Sequence, residues 1–274
     1  MSIIFTIFAG RKRYLSILIK YLDILLIRNI ITDVHIWNYA KTEDDSSFIK
    51  TLSDKYTILT PEILTNGWYE YYDYYINSDF KDDDILIKCD DDIVYIDIDN
   101  FKKYLNNINL SDENDRNLYY PNIINNDVCA HIQSLNGVHS LLPKVDENLK
   151  QDGCQIPLST WCGWFTKTEL ADKIHNEFLN DKEKFILNIP NIKWNSRVSI
   201  NMFAGNFKTI KESFEIFKKI GNNDDETFMS ARRCLIENHN NIIVPYCTVV
   251  HFSFNPQLTQ DLDDKYLHKY DRLI

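Results

Sequence analysis

The stretch ILIKCDDDIVYID, residues Ile85 to Asp97, sets three successive carboxylates, Asp90, Asp91 and Asp92, between two apolar runs. Carboxylates are rarely buried unless they are paired or bind a metal. ILIK reads as a buried strand, and an open parallel sheet binds its ligands beyond the carboxyl ends of its strands. The aspartates stand at that position. In an extended segment alternate side chains share a face, which predicts Asp90 and Asp92 on one side and Asp91 on the other. Two carboxylates on one side offer oxygens to a hard divalent cation such as Mg²⁺ or Mn²⁺, and such a cation can neutralise a diphosphate leaving group. The alternative is a solvated acidic turn, which is how FKDDD (80–84) reads. The apolar runs on both sides favour the metal at 90–92.

Upstream, SIIFTIFAG (2–10) predicts a first buried strand and RKRYLSILIKYLDILLIRN (11–29) a helix with apolar residues at helical spacing. DVHIWNYA (33–40) and YTILT (56–60) read as strands, and DDSSFIKTLSDK (44–55) and the aromatic GWYEYYDYYINSD (67–79) as helices. Downstream, DIDNFKKYLNNI (97–108) predicts a helix capped by an aspartate. Strand alternating with helix implies βαβ units and a mainly parallel sheet. The middle is less regular. LYYPNIIN (118–125) predicts a strand and 136–159 a long loop. TKTELADKIHNEFLN (166–180) opens with a capping box of Thr166 and Glu169. RVSINMFAG (197–205) and NIIVPYCTVVHFSF (241–254) read as strands, and KTIKESFEIFKKI (208–220) and DDETFMSARRCLIEN (224–238) as helices. No internal repeat and no linker rich in Pro, Gly or Ser divides the chain. The expectation is one α/β domain over 1–274, with a nucleotide-binding half of about 1–110 and an acceptor-binding half of about 111–274.

With 44% hydrophobic and 26% charged residues, the 274-residue chain can bury a substantial core. The excess of Ile, Asn and Lys points to an AT-rich genome. A net charge of −10, with Lys and Arg not gathered into a stripe, argues against a nucleic-acid partner. The six cysteines form no CxxC pair and read as buried free thiols in a reducing compartment. The apolar start, Ile3–Ala9, is too short for a secretory signal, and Lys20, Asp23 and Arg28 interrupt the run from Tyr14 to Ile31. The expectation is a cytoplasmic protein, in the host cell if viral, with no transmembrane segment.

Four segments together resemble one family. KCDDD followed by IVYID is similar to the DxD region of nucleotide-sugar-dependent glycosyltransferases of the GT-A fold, especially the short versions of bacterial polysaccharide clusters and large DNA viruses. FTIFAGRKRYL resembles their first nucleotide-binding strand and turn. NNDDETFM resembles the acidic motif that supplies a catalytic base or acceptor contact. VVHFSFNPQ resembles the C-terminal strand whose histidine completes the metal site. The resemblance spans residues 5 to 257 and implies a Rossmann-like, GT-A-like, mainly parallel central sheet flanked by helices. It implies a glycosyltransferase of the hexosyl-transferring kind, with a UDP-sugar donor, Mn²⁺ or Mg²⁺, and a glycan or glycoprotein acceptor.

Carried over by position, Asp92 and His251 would ligate the metal, with diphosphate oxygens and water at the remaining positions. Asp90 would contact the ribose or assist the metal. Asp91, Lys88, Phe8, Ala9, Gly10, Arg11 and Arg13 would surround the nucleotide, and Trp37, with Tyr39, would flank the uracil. Asp225 would be the general base and Glu226 an acceptor contact; a base attacking from the far face would invert configuration. Trp161, Gly163 and Trp164 offer aromatic faces and close approach to an acceptor sugar. Plainer readings stand beside these. His251 fits a satisfied core histidine, Arg11 to Arg13 fit solvated cations, and Asp224 to Glu226 fit a helix N-terminus whose dipole favours acidic residues. Two rival functions remain: a phosphohydrolase using Asp97 and Asp99 of VYIDIDNF, and a non-catalytic nucleotide- or sugar-binding domain. Against the first, Phe101 stands where those phosphatases usually have Thr or Val, and no convincing GDxxxD follows.

Overall fold

In the computed structural model the residues described are 1–62, 68–108, 114–141, 150–151, 154–155, 164–220, 225–236 and 238–274. The first half runs β1 (Ile3–Ala9), α1 (Lys12–Ile27), β2 (Asp33–Asn38), α2 (Glu43–Lys50), β3 (Thr57–Leu59), α3 (Trp68–Ile76), β4 (Ile85–Asp90), β5 (Ile93–Ile96) and α4 (Ile98–Leu105). There follow β6 (Leu118–Ile124), α5 (Asp127–Leu135), a two-residue hairpin β7 (Lys150–Gln151) and β8 (Cys154–Gln155), and α6 (Thr168–Asn180). The chain ends with β9 (Ile192–Trp194), β10 (Met202–Asn206), α7 (Phe207–Ile220), α8 (Asp225–Ser230), β11 (Asn241–His251) and α9 (Gln260–Tyr270).

The strands are apolar because both faces of the sheet are covered. On β1, Phe5 faces Phe101 of α4, with ring centroids 6.3 Å apart. Its neighbour Thr6 points the other way and accepts a 2.9 Å hydrogen bond from Tyr75 of α3. The aromatic run of α3 is therefore core: Tyr71, Tyr72 and Tyr75 are buried, and the Tyr72 ring lies 3.9 Å from that of Phe214 on α7. On the α4 side, α1 buries Tyr14, Leu15, Ile17, Leu18, Tyr21, Leu22 and Leu25, one face of a helix. Each such side chain contributes roughly 1.5–3 kcal/mol of burial.

The nine-stranded sheet has the order β3-β2-β1-β4-β10-β6-β11-β5, with β9 also paired to β11. Six strands, β1, β2, β3, β4, β6 and β11, point the same way, and β5, β9 and β10 run against them. The mainly parallel sheet flanked by helices is as expected. The carboxyl ends of the six strands share one edge of the molecule, joined there by the start of β10.

Some local expectations fail for identifiable reasons. β4 ends at Asp90, Asp91 and Asp92 form a turn, and Ile93 begins a strand that pairs with β11 instead. The strand alternation expected at 90–92 is therefore broken. The helix at 168 starts from Lys167 with no side-chain cap, so the Thr166–Glu169 capping box does not form. The helix expected over 224–238 stops at Ser230. Beyond it the buried Arg233 guanidinium donates to the carbonyls of Met229, Arg116 and Asn240, tying the segment to its neighbours. β11 tolerates Pro245 because its register with β6 shifts between Val244 and Thr248, and a bulge is where a strand accommodates proline. Cys89, Cys129, Cys234 and Cys247 are free thiols, all but Cys234 buried.

Candidate active site

Four chain segments meet at the carboxyl edge: the β1–α1 turn, the turn after β4, the β6–α5 turn and the end of β11. Asp91 ties the first two together. Its Oδ2 accepts the backbone amides of Gly10 and Arg11, each at 2.7 Å. Its Oδ1 accepts Arg11 Nε at 2.9 Å and also Arg11 Nη2. Gly10 therefore presents its amide to Asp91, and a Cβ there would stand 3.2 Å from the Tyr39 carbonyl oxygen. The close approach that glycine permits is to the β2 backbone. Burial pushes the Asp91 carboxyl up to about 6, with Arg11 pulling it down and Asp92 pushing it further up.

Asp92 lies against two partners. Its Oδ2 is 3.0 Å from Arg11 Nη2 and 3.4 Å from His251 Nε2. Its Oδ1 is buried with no hydrogen-bond partner. Burial opposes its ionisation, but His251 and Arg11 outweigh that and hold the carboxyl well below the usual carboxylate range. His251 is oriented from behind: its other ring nitrogen, Nδ1, lies 3.1 Å from the Asn125 carbonyl oxygen. A carbonyl only accepts, so Nδ1 carries the proton and Nε2 faces Asp92. Burial pushes His251 down, and Asp92 more than reverses this, leaving the imidazole above its ordinary value.

The donor set fits a divalent cation. A buried carboxylate oxygen without a partner is costly unless something completes it. The 3.4 Å between Asp92 and His251 is long for a hydrogen bond and suits two adjacent ligands of one ion at about 2.0–2.2 Å. Among the described residues no group of three or more His, Cys, Asp or Glu side chains is placed to hold a metal. Among the described residues, Asp92 and His251 are the two that would hold it.

The remaining expected residues divide. Lys88, buried, donates to Asp90 at 2.5 Å and to the Ile200 carbonyl at 2.6 Å, and its ammonium lies 5.3 Å over the Phe8 ring. Ala9 is buried beneath the same turn. Asp225 lies near enough to Lys88 to raise its pKa, and its Oδ2 accepts Tyr72 Oη at 2.5 Å. Glu226 is paired with Arg197 at 2.7 Å, and burial holds its carboxyl above the ordinary value with Arg197 opposing.

Three expectations are corrected. Arg13 turns away to Asp263 at 2.9 Å. Trp37, 4% exposed, packs among the α3 tyrosines, and its indole donates to Tyr75 Oη at 3.4 Å. Tyr39 at that edge is half-buried and stacked on Phe8, itself half-buried. Trp164 is wholly buried and donates its indole N–H to Asn125 Oδ1 at 3.1 Å, so neither ring face is open to a sugar. Trp161, Gly163 and Asp224 lie outside the described residues. Asp97 and Asp99 stand elsewhere. β5 runs away from the carboxyl edge, Asp97 caps α4 by accepting the Asn100 amide at 3.2 Å, and exposed Asp99 pairs with Arg28.

No family model matches the chain, and no curated protein does. Its fold does have solved counterparts. The structure of 4-diphosphocytidyl-2C-methyl-D-erythritol synthase from Anaerococcus prevotii superposes with a TM-score of 0.51 at 12% identity, covering 97% of this chain and 96% of that one. That likeness establishes the fold. Mannose-1-phosphate geranyltransferase from Thermus thermophilus gives a TM-score of 0.41 at 9% identity, over 92% of this chain and 74% of the other, too low to carry an argument.

Sequence reasoning missed the β6–α5 turn. Asn125 takes a left-handed φ of 58°, and its Nδ2 donates to the Phe252 carbonyl and to Gln257 Oε1, each at 3.0 Å. Asn126 caps α5 and reaches Asn201 Oδ1 at 3.0 Å, while the Asn201 carbonyl accepts the Asp90 amide at 2.9 Å. The available signal was NIINND (122–127), a polar stop after an apolar strand like the one after ILIK.

Proposed function

We propose that this chain is a metal-dependent glycosyltransferase that moves a sugar from a nucleotide-sugar donor, a UDP-sugar, to a hydroxyl of a glycan or glycoprotein. One observation carries the reading: Asp92 and His251, remote in sequence, face each other across 3.4 Å at the ligand-binding edge, beside a buried carboxylate oxygen that lacks a partner. Mn²⁺ or Mg²⁺ held there would supply charge neutralisation for the diphosphate leaving group.

The chain's own residues supply the rest. Asn125 keeps the His251 proton on Nδ1. Lys88 and Asp90 form a buried ion pair next to Phe8, where the ribose and diphosphate would lie. Asp225 takes the acceptor proton as general base. Tyr72, donating to Asp225 Oδ2 at 2.5 Å, orients that carboxylate. If the acceptor's attack comes from the face opposite the diphosphate, it would invert the anomeric configuration.

A second reading, nucleotidyl transfer, comes from the diphosphocytidyl compound in the name of the A. prevotii structure. The two differ in product. Glycosyl transfer or slow donor hydrolysis releases a nucleoside diphosphate from a nucleotide sugar, whereas nucleotidyl transfer releases pyrophosphate from a nucleoside triphosphate. Incubation with panels of both donors and Mn²⁺, with both products assayed, separates them. Nucleoside diphosphate release that stops in Asp92→Asn and with chelator is the expected result. Pyrophosphate release alone, or turnover indifferent to the mutation and the chelator, refutes the proposal.

A further inference from the structure

We propose that Arg11 is the resident counter-ion of Asp92, and that a divalent cation can occupy Asp92 and His251 only by displacing the Arg11 Nη2 group. The inference rests on the reading of those two residues as the cation's ligands.

The geometry makes the competition direct. Arg11 Nη2 is 3.0 Å from Asp92 Oδ2, the same oxygen that lies 3.4 Å from His251 Nε2. A cation between Asp92 and His251 would stand a few ångströms from a guanidinium, and two like charges at about 4 Å repel by several kcal/mol at the effective dielectric near a protein surface. One of them must yield. Arg11 can do so without unfolding its turn. Its backbone amide is held by Asp91 at 2.7 Å, so the turn stays while the planar guanidinium, whose Nε and Nη2 both donate to Asp91 Oδ1, swings as one unit. The side chain is 34% exposed, and it borders a cavity of about 580 Å³ lined also by Lys12, Arg13, Ser16, Asp44 and Asp45.

The other cations of this turn do not compete. Lys12 is paired with Asp44 at 3.0 Å and Arg13 with Asp263 at 2.9 Å. Arg11 alone among the three contacts Asp92. Once displaced, the Nη2 group is a free donor next to the metal position, where an anionic ligand of the cation would lie.

Mn²⁺ titration by calorimetry, in the absence of nucleotide, tests this on wild type, Arg11→Gln, Arg11→Lys and Asp92→Asn. Arg11→Gln should bind Mn²⁺ roughly tenfold more tightly than wild type. Arg11→Lys, which keeps the charge, should stay close to wild type, and Asp92→Asn should not bind. A second readout needs no mutation: Mg²⁺ titration of the ¹⁵N-labelled wild type should shift the Arg11 Nη and Nε–H resonances together while its backbone amide, held by Asp91, stays in place. If wild type binds and Asp92→Asn does not, but Arg11→Gln binds no tighter or the Nη resonances stay unmoved, the competition is refuted and the ligand pair stands. If wild type and Asp92→Asn alike bind no cation, both ideas fall.

Discussion

Asp91 and Asp92 are adjacent in the chain, equally buried, and do opposite things. Asp91 spends its oxygens on N–H donors of Gly10 and Arg11, so its role is to hold the β1–α1 turn against the end of β4. Asp91→Ala leaves two backbone amides and a guanidinium without their acceptor and should cost about 3 kcal/mol of stability in urea unfolding. Asp92 keeps one oxygen unpartnered. Asp92→Asn removes the charge that Arg11 and His251 hold ionised, so stability should also fall by about 3 kcal/mol, and, on the proposed reading, turnover of a nucleotide sugar should be abolished. A small loss of stability in Asp91→Ala, or turnover retained in Asp92→Asn, would contradict these assignments.

Among the elements, the β6–α5 turn positions most of the site from behind. Asn125 presents its carbonyl to His251 while its side chain joins Phe252, Gln257 and Trp164. Its φ of 58° is a conformation that asparagine tolerates better than most residues. Asn125→Ala should therefore lose about 3 kcal/mol, part from the backbone and part from the three buried partners. Asn125→Gly, free of the backbone penalty, should recover about 1 kcal/mol of that. Thermal unfolding of the two variants side by side checks the order; equal stabilities would mean that φ is not a determinant of the turn.

For the molecule as a whole, His175 joins the carboxyl edge to the packing of α6 and α9. Its Nε2 lies 2.6 Å from the Phe252 carbonyl, one residue beyond His251, and its Nδ1 lies 2.8 Å from Tyr270 Oη. The carbonyl fixes the proton on Nε2, so Tyr270 donates to Nδ1 and the ring is neutral. Burial pushes this histidine down to about 4, against about 6.5 when unfolded. Below about 6.5 the unfolded chain takes up a proton that the folded one refuses. His175 therefore makes stability fall as pH drops from about 6.5 to about 4, by about 3 kcal/mol in all. His251, held above its ordinary value, acts in the opposite sense: its share is present below its unfolded pKa and lost as pH rises through its folded one. Urea midpoints of wild type and His175→Phe at pH 4.5 and 7.5 separate the two. The wild type should lose more stability on acidification than the variant, and parallel losses would contradict the assignment.

Most of the sheet and most of the helices that cover it were legible in the sequence because they follow from local repeats, whereas α5, α9 and β9 were not foreseen. Apolar runs bounded by Gly and Asp mark strands covered on both faces, and helical spacing marks the helices that cover them. The polar stop after ILIK and the histidine after VV marked two ends of the carboxyl edge, and the tertiary structure brings them together as the spacing of residues alone could not. What each carboxylate contacts was decided only by the fold. Periodicity put Asp90 and Asp92 on one face, but the turn at 91–92 and the reach of Arg11 put Asp91 and Asp92 on one guanidinium and left Asp90 to Lys88. Trp37, Arg13 and Trp164 looked available for a ligand and are occupied by Tyr75, Asp263 and Asn125. Which donors surround a polar group depends on segments far apart in sequence, and that information exists only once the chain has packed.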